Sequence, residues 1–310
     1  LHLLSRRQRQ MCIRDSVKGA DWFVEGASSL ACYFHIPQLV IGLTICAMGT
    51  SLPEASVSLV AAIHDNAQIT IGNVVGSNIL NILIILGITS AIVSVAVAKS
   101  TIRYEIPWML FITAVLLALG YTGNQVSFME GVILWVLFLM YLGYLFVMAM
   151  RDKQEVVETE EAKPFWKLVL LSIIGLVLIV LGSDVTVDAA TAIAKAAGLS
   201  ERFIGLTIVA LGTSLPELVT SVTAAKRGNA GIAIGNIVGS NIFNILFVIG
   251  TAALICPVPF ETKFIVDTGI AILAGLVLWI GTYKNRELRK TCGVVMLLCY
   301  AGYFAYLCVV

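Results

Sequence analysis

The chain has 310 residues, 59% of them hydrophobic and 13% charged, with a formal net charge of +1 and a mean hydropathy of +0.94. That balance excludes a water-soluble globular protein of this length and places the chain in a lipid bilayer. So small a net charge selects no soluble partner, and no nucleic-acid partner is expected.

Hydrocarbon requires about 20 apolar residues per helical span. The apolar runs predict ten spans, at 17–34, 38–63, 69–97, 105–121, 127–150, 165–196, 201–225, 232–256, 263–283 and 290–310. The expected fold class is an all-α integral membrane protein.

The first span carries Asp21 and Glu25 at i and i+4, a pattern read as a solvated face near an interface. The second contains GTSLPE at 49–54. An ionised carboxylate near the bilayer centre costs about 3 kcal/mol on insertion scales, so it needs a water-filled cavity or a cation. Glu54 sits about eight or more residues from either end of its span, deep in the hydrocarbon at helical rise. Pro53 has no N–H for the carbonyl of Gly49, so the helix is expected to bend and release backbone oxygens near Gly49 and Thr50. Ala47, Thr50, Ser51 and Glu54 then share a face at spacings of three and four.

On the third span Asn73, Ser77 and Asn81 recur every four residues, and Gly72 and Gly76 allow close helix approach. The fourth and fifth spans complete the first half. The stretch RDKQEVVETEEAKP, 151–164, reads as a solvated linker. Assigning alternate loops to one side gathers Lys99, Arg103, Arg151, Lys153, Lys163, Lys167, Lys226, Arg227, Lys284, Arg286, Arg289 and Lys290 with this linker. The opposite side holds Lys195, Arg202 and Lys263, which makes the linker cytoplasmic.

The second half repeats the first at an offset of 163 residues. IGLTICAMGTSLPE (41–54) falls on IGLTIVALGTSLPE (204–217), and GNVVGSNILNILIILG (72–87) on GNIVGSNIFNILFVIG (235–250). Asp21 falls on Asp184 and Asn66 on Asn229 in the same register; Asp184 and Asp188 restate the Asp21 and Glu25 pair. This is an internal duplication. Five spans per half turn the second copy upside down, and inverted repeats build secondary transporters with ion sites near the midplane. The domain organisation expected is a first repeat at 17–150, the linker at 151–164 and a second repeat at 165–310. Residues 1–16 break the pattern, because the counterparts of 166–183 read LLSRRQRQMCIRDSVKGA and cannot cross hydrocarbon as written. They are read as foreign sequence, with a truncated first span as the alternative, and carry no functional argument.

Duplication doubles the polar set. Glu217 follows Pro216, which acts near Gly212 and Thr213. Ala210, Thr213, Ser214 and Glu217 share a face, and Asn236, Ser240 and Asn244 recur beside Gly235 and Gly239. Two carboxylates, two amide carbonyls, two freed main-chain carbonyls and several hydroxyls make an all-oxygen cage, which suits calcium with its roughly six to eight oxygen ligands. Sodium accepts the same ligands, whereas soft metals do not prefer them. Interhelical hydrogen bonding is the competing role for Asn81 and Asn244, and packing for the glycines.

Other polar residues carry less. Seven cysteines show no CxxC spacing, and Cys32, Cys46, Cys256, Cys299 and Cys308 read as small buried hydrophobes. His35 and His64 fall in loops, His2 in the excluded segment, and Asp267 near the interface.

At these paired blocks the sequence resembles the calcium/cation antiporter superfamily, and within it the prokaryotic sodium/calcium exchangers, over residues 17–310. The resemblance implies ten transmembrane helices as two inverted repeats. The second, third, seventh and eighth would form a core, across which the first and sixth slide. It implies Glu54 and Glu217 as central calcium and sodium ligands and backbone oxygens from Thr50 and Thr213. Flanking sodium sites would be lined by Ala47, Ser51, Ser77, Ala210, Ser214 and Ser240, with Asn81 and Asn244 completing the centre.

One departure is that exchangers of this family can carry Asp where this chain has Asn244. The amide also looks like calcium/proton exchangers, which leaves the coupling ion open. The readings are therefore a sodium-coupled calcium antiporter, a proton-coupled one, or a passive cation channel. An enzyme is not expected, because there is neither HExxH nor a His-rich ligand set. No cofactor is expected beyond transported calcium and sodium, the setting is a prokaryotic plasma (inner) membrane, and the oligomeric state is left open.

Overall fold

The computed structural model describes residues 6–64, 67–151, 164–196 and 210–309, with side chains described over 18–64, 67, 69–151, 164–182 and 211–307. Among them seven helices are long and apolar enough to cross a membrane. These are α4 (Ile69–Ile92), α5 (Thr101–Gly123), α6 (Phe128–Arg151), the Phe165–Gly182 part of α7 (Phe165–Ala196), α10 (Ala230–Ile255), α11 (Thr262–Tyr283) and α12 (Lys290–Val309). An eighth span is a broken pair, α2 (Gln38–Thr50) and α3 (Leu52–Ile63), bent by 50°.

The expected span 17–34 lies within α1 (Arg6–Phe34), whose sequence is too rich in charge to pass as apolar. The expected span 201–225 is outside the described residues over 201–209. It continues as α8 (Ala210–Thr213) and α9 (Leu215–Lys226). The linker residues 152–163, His2 and Asn66 also lie outside the described residues.

The third span stops at Ile92 rather than at 97. Val93 turns to extended backbone (φ −138°, ψ 127°), and β1 (Val95–Ala96) pairs antiparallel with β4 (Glu287–Leu288). In the same way β2 (Gln125–Val126) pairs with β3 (Val258–Pro259). Each short ribbon joins one half of the chain to the other, so helix ends that would leave open carbonyls and amides are tied across the repeat.

Burial separates core from periphery. The apolar window of α10 is 94% buried and that of α4 is 72%, whereas the other candidate spans range from 11% to 33%. Close approach explains the first value. A β-carbon on Gly239 would lie 2.8 Å from the Leu43 Cα, and one on Gly235 2.9 Å from the Leu39 carbonyl oxygen, so α10 meets α2 backbone to backbone. Among the described side chains, a β-carbon on Gly72 would meet the Phe264 ring at 3.5 Å and one on Gly76 nothing within 4 Å. The segment that the repeat sets opposite them, 202–210, is outside the described side chains.

Outside this core α1 packs along α7, where a β-carbon on Gly175 would lie 2.6 Å from the Gly19 carbonyl oxygen. Asp21 is tied to Arg227 at 2.9 Å, with Glu25 at 3.7 Å from the same guanidinium. The side chains of Asp184 and Asp188 are outside the described residues. Asp267, near the start of α11, is half-buried and accepts a hydrogen bond from Tyr303 of α12 at 2.9 Å. Of the cysteines, Cys46 is buried as expected and Cys256 partly so, whereas Cys32 and Cys299 are exposed. Cys308 is outside the described side chains. His35 and His64 both sit at helix ends, exposed.

Candidate functional site

The site is built on two helix breaks. Ser51 leaves helical geometry (φ −85°, ψ 9°) and Ser214 does the same (φ −90°, ψ 5°). A new helix begins after each, with Pro53 or Pro216 in its first turn. This corrects the expectation of one helix kinked at proline. In the first turn a missing N–H costs nothing, because that amide has no intrahelical acceptor. The cap amides still reach the carbonyls of Ala47 and Gly49, so the Gly49 oxygen expected to be released is taken.

The break also fixes the carboxylates. Glu54 and Glu217 lie in the first turns of α3 and α9, where the positive end of the helix dipole favours negative charge. Ser-x-x-Glu is the spacing of a capping box, yet neither serine caps its own helix. The Ser51 hydroxyl donates to Glu217 Oε1 at 2.7 Å, and the Ser214 hydroxyl to Glu54 Oε1 at 3.2 Å. Both glutamates are buried, at 1% and 0% exposure.

Two further layers of amides hold the breaks. Asn73 donates to the Ser58 hydroxyl at 2.9 Å and the Glu54 carbonyl at 3.1 Å. Asn236 donates to the Ser221 hydroxyl at 3.1 Å and the Glu217 carbonyl at 3.4 Å. The Thr50 hydroxyl lies 3.0 Å from the Cys46 carbonyl and 3.1 Å from Asn236 Oδ1. Ser240 donates to the Ala47 carbonyl at 3.3 Å. Ser77 is buried and Thr213 half-buried, while the Ala210 side chain is outside the described residues.

Asn78 and Asn241 were not singled out by sequence reasoning, although both repeat at the same offset. Each donates to the other's backbone carbonyl, at 3.1 and 3.2 Å. Asn81 donates to Asn241 Oδ1 at 2.9 Å and Asn244 to Asn78 Oδ1 at 3.2 Å. At Asn81 and at Asn244 the helix widens into a π turn, Asn81–Leu86 and Asn244–Ile249, a feature found often at functional sites.

In these contacts the amide nitrogens of Asn81 and Asn244 are engaged and their oxygens are not. Glu54 Oε2, Glu217 Oε2, Asn81 Oδ1 and Asn244 Oδ1 are buried and receive no hydrogen bond among the described residues. They are two matched pairs, one member from each half. Burying acceptors in this way is costly unless a cation satisfies them. Among the described residues no three His, Cys, Asp or Glu side chains group as a metal site, so the donor set is two carboxylates plus neutral oxygens. That is hard-cation chemistry.

The description "Sodium/calcium exchanger protein" belongs to the family whose profile matches residues 16–147 and 167–309. The chain belongs to the sodium/calcium exchanger family. It is 31% identical to the sodium/calcium exchanger MaX1 of Methanosarcina acetivorans, over 94% of this exchanger and 95% of that protein. It is 35% identical to the inner membrane protein YrbG of Escherichia coli, over 85% of each. Among solved structures, the sodium-calcium exchanger NCX_Mj soaked with sodium and strontium superposes at a TM-score of 0.84. That pair shares 32% identity, over 98% of this exchanger and 99% of that chain. This exchanger is therefore an integral membrane transporter of the cation antiport class rather than an enzyme.

Proposed function

We propose that this exchanger is a secondary active antiporter that moves calcium against sodium across a prokaryotic plasma membrane by alternating access. The observation that carries the reading is the matched set of buried, undonated oxygens on Glu54, Glu217, Asn81 and Asn244. Two carboxylate charges balance one calcium ion or two sodium ions, so the two cargoes compete for the same oxygens. Mutual exclusion at one site is the physical basis of exchange.

In this reading Glu54 and Glu217 hold calcium together with Asn81 and Asn244 and the backbone oxygens of Thr50 and Thr213. Ser51, Ser77, Ala47 and their counterparts Ser214, Ser240 and Ala210 line the flanking sodium positions. Residues 17–150 and 165–310 act as two inverted five-span repeats joined by a cytoplasmic linker. The relatives' printed names support calcium and sodium as the cargo pair.

A second reading is favoured by one residue. Asn244 is an amide, so the site carries two carboxylates and no third charge, and protons on Glu54 and Glu217 balance calcium as well as sodium does. Calcium uptake into vesicles containing the purified protein decides between them. Uptake driven by an imposed sodium gradient, and not by a pH gradient, is expected. Drive by pH alone would replace sodium with protons, and equal flux with no counter-ion would make the protein a channel.

A further inference from the structure

An asparagine side chain keeps its outline when its amide is turned by half a rotation, but the turn exchanges an acceptor oxygen for a donor nitrogen. For a cation the exchange matters, since the oxygen attracts it and the NH2 group repels it. A cation site that uses Asn81 and Asn244 therefore has to fix which end each amide presents. The hydrogen bonds between α4 and α10 do this.

Backbone carbonyls set the orientation. The Asn78 side chain directs one end at the Asn241 main-chain carbonyl, at 3.1 Å, and the Asn241 side chain directs one end at the Asn78 carbonyl, at 3.2 Å. A carbonyl only accepts, so the end that meets it is the NH2 group in both cases. The Asn241 nitrogen also lies 3.7 Å from the Met109 sulfur of α5, a second acceptor that favours the same orientation. The other ends of Asn78 and Asn241 are then oxygens, and each meets an asparagine of the opposite half. Asn244 donates to Asn78 Oδ1 at 3.2 Å, and Asn81 donates to Asn241 Oδ1 at 2.9 Å. With their nitrogens drawn to these acceptors, Asn244 and Asn81 are left with open oxygens. All four side chains are between 0% and 3% exposed, so bulk water does not replace these bonds.

We propose that Asn78 and Asn241 are positioning residues for cation exchange: each fixes the amide polarity of the site asparagine in the other half, and so keeps the Asn244 and Asn81 oxygens available to the cargo. This role rests on the proposed place of Asn81 and Asn244 among the cargo ligands. Without Asn78 the Asn244 amide is free to turn, and once turned it offers the cation an NH2 group where a ligand oxygen stood. Loss of Asn241 releases Asn81 in the same way. The crossing matches that of the serines and glutamates, so both ligand types of one half are oriented from the other.

The test is a double-mutant cycle on the purified full chain, read as calcium affinity by isothermal titration. Misfolded protein lowers the stoichiometry and not the affinity, so a purely structural role does not move this readout. Asn78→Ala and Asn244→Ala are each expected to weaken calcium binding about fivefold, the size of one hydrogen bond. The double variant is expected to bind no more weakly than Asn244→Ala alone, because Asn78 acts through Asn244. Full additivity of the two effects, or wild-type affinity in Asn78→Ala, would overturn the proposal while leaving the ligand set intact. Wild-type affinity in Asn244→Ala would instead overturn the ligand reading, and the positioning role with it. Asn241→Ala with Asn81→Ala forms the same cycle in the other half, so poor folding of Asn78→Ala does not shelter the proposal.

Discussion

Ser51 donates its hydroxyl to Glu217 at 2.7 Å, although the glutamate at capping-box spacing from it is Glu54. Ser214 returns the exchange to Glu54 at 3.2 Å. Each half of the chain therefore holds the other half's carboxylate, and neither carboxylate is oriented by its own helix alone.

Ser51→Ala and Ser214→Ala should weaken calcium binding by similar amounts. A hydrogen bond to a charged group contributes about 1.5–3 kcal/mol, or roughly ten- to 150-fold in affinity. Isothermal titration on the purified variants measures it. An effect from one serine and none from the other would mean that the crossed pair does not shape the site.

Glu54→Gln and Glu217→Gln should each stop calcium transport while leaving the protein inserted and folded. Each removes half the formal charge of the cage and replaces an oxygen by an amide donor. Radiolabelled calcium uptake, with thermal unfolding in detergent as the fold control, reads both. Normal uptake by either variant would remove that residue from the cargo site.

Gly239→Ala should destabilise the protein. It places a methyl 2.8 Å from the Leu43 Cα, an overpacking that costs about 1–3 kcal/mol. Thermal shift on the purified variant checks this, and an unchanged melting temperature would contradict the backbone-to-backbone contact of α10 with α2.

Asn78→Ala should lower stability by about 1–2 kcal/mol, since it removes the donor to the Asn241 carbonyl and the acceptor of the Asn244 amide. A double-mutant cycle with Asn244→Ala should show coupling of more than about 0.5 kcal/mol, because the two side chains share a hydrogen bond. Strict additivity would show that the amide layer does not act as one network.

Much of this was legible before any coordinates. The bilayer setting follows from apolar runs of spanning length, and the duplication from two blocks in one register. Glu54 and Glu217 were marked by the cost of a charge in hydrocarbon. The limits were local as well: a proline in GTSLPE reads equally as a kink or as the first turn of a new helix, and only the backbone at Ser51 and Ser214 separates the two. Asn78 and Asn241 were hidden because every asparagine in the GSN block repeats, and the repeat alone does not say which ones face each other.

What the sequence by itself determined is the class of protein, the twofold plan and the two buried acids, because hydropathy, period and repetition are properties of the chain read along its length. Tertiary structure alone decided that Ser51 serves Glu217 and Ser214 serves Glu54, and that Gly239 is pressed against Leu43. It also decided that one oxygen on each of Glu54, Glu217, Asn81 and Asn244 is buried without a hydrogen bond among the described residues. Those outcomes depend on which helix faces which across more than 150 residues of chain, and a hydrogen-bond donor is assigned by distance in space, which no local spacing encodes.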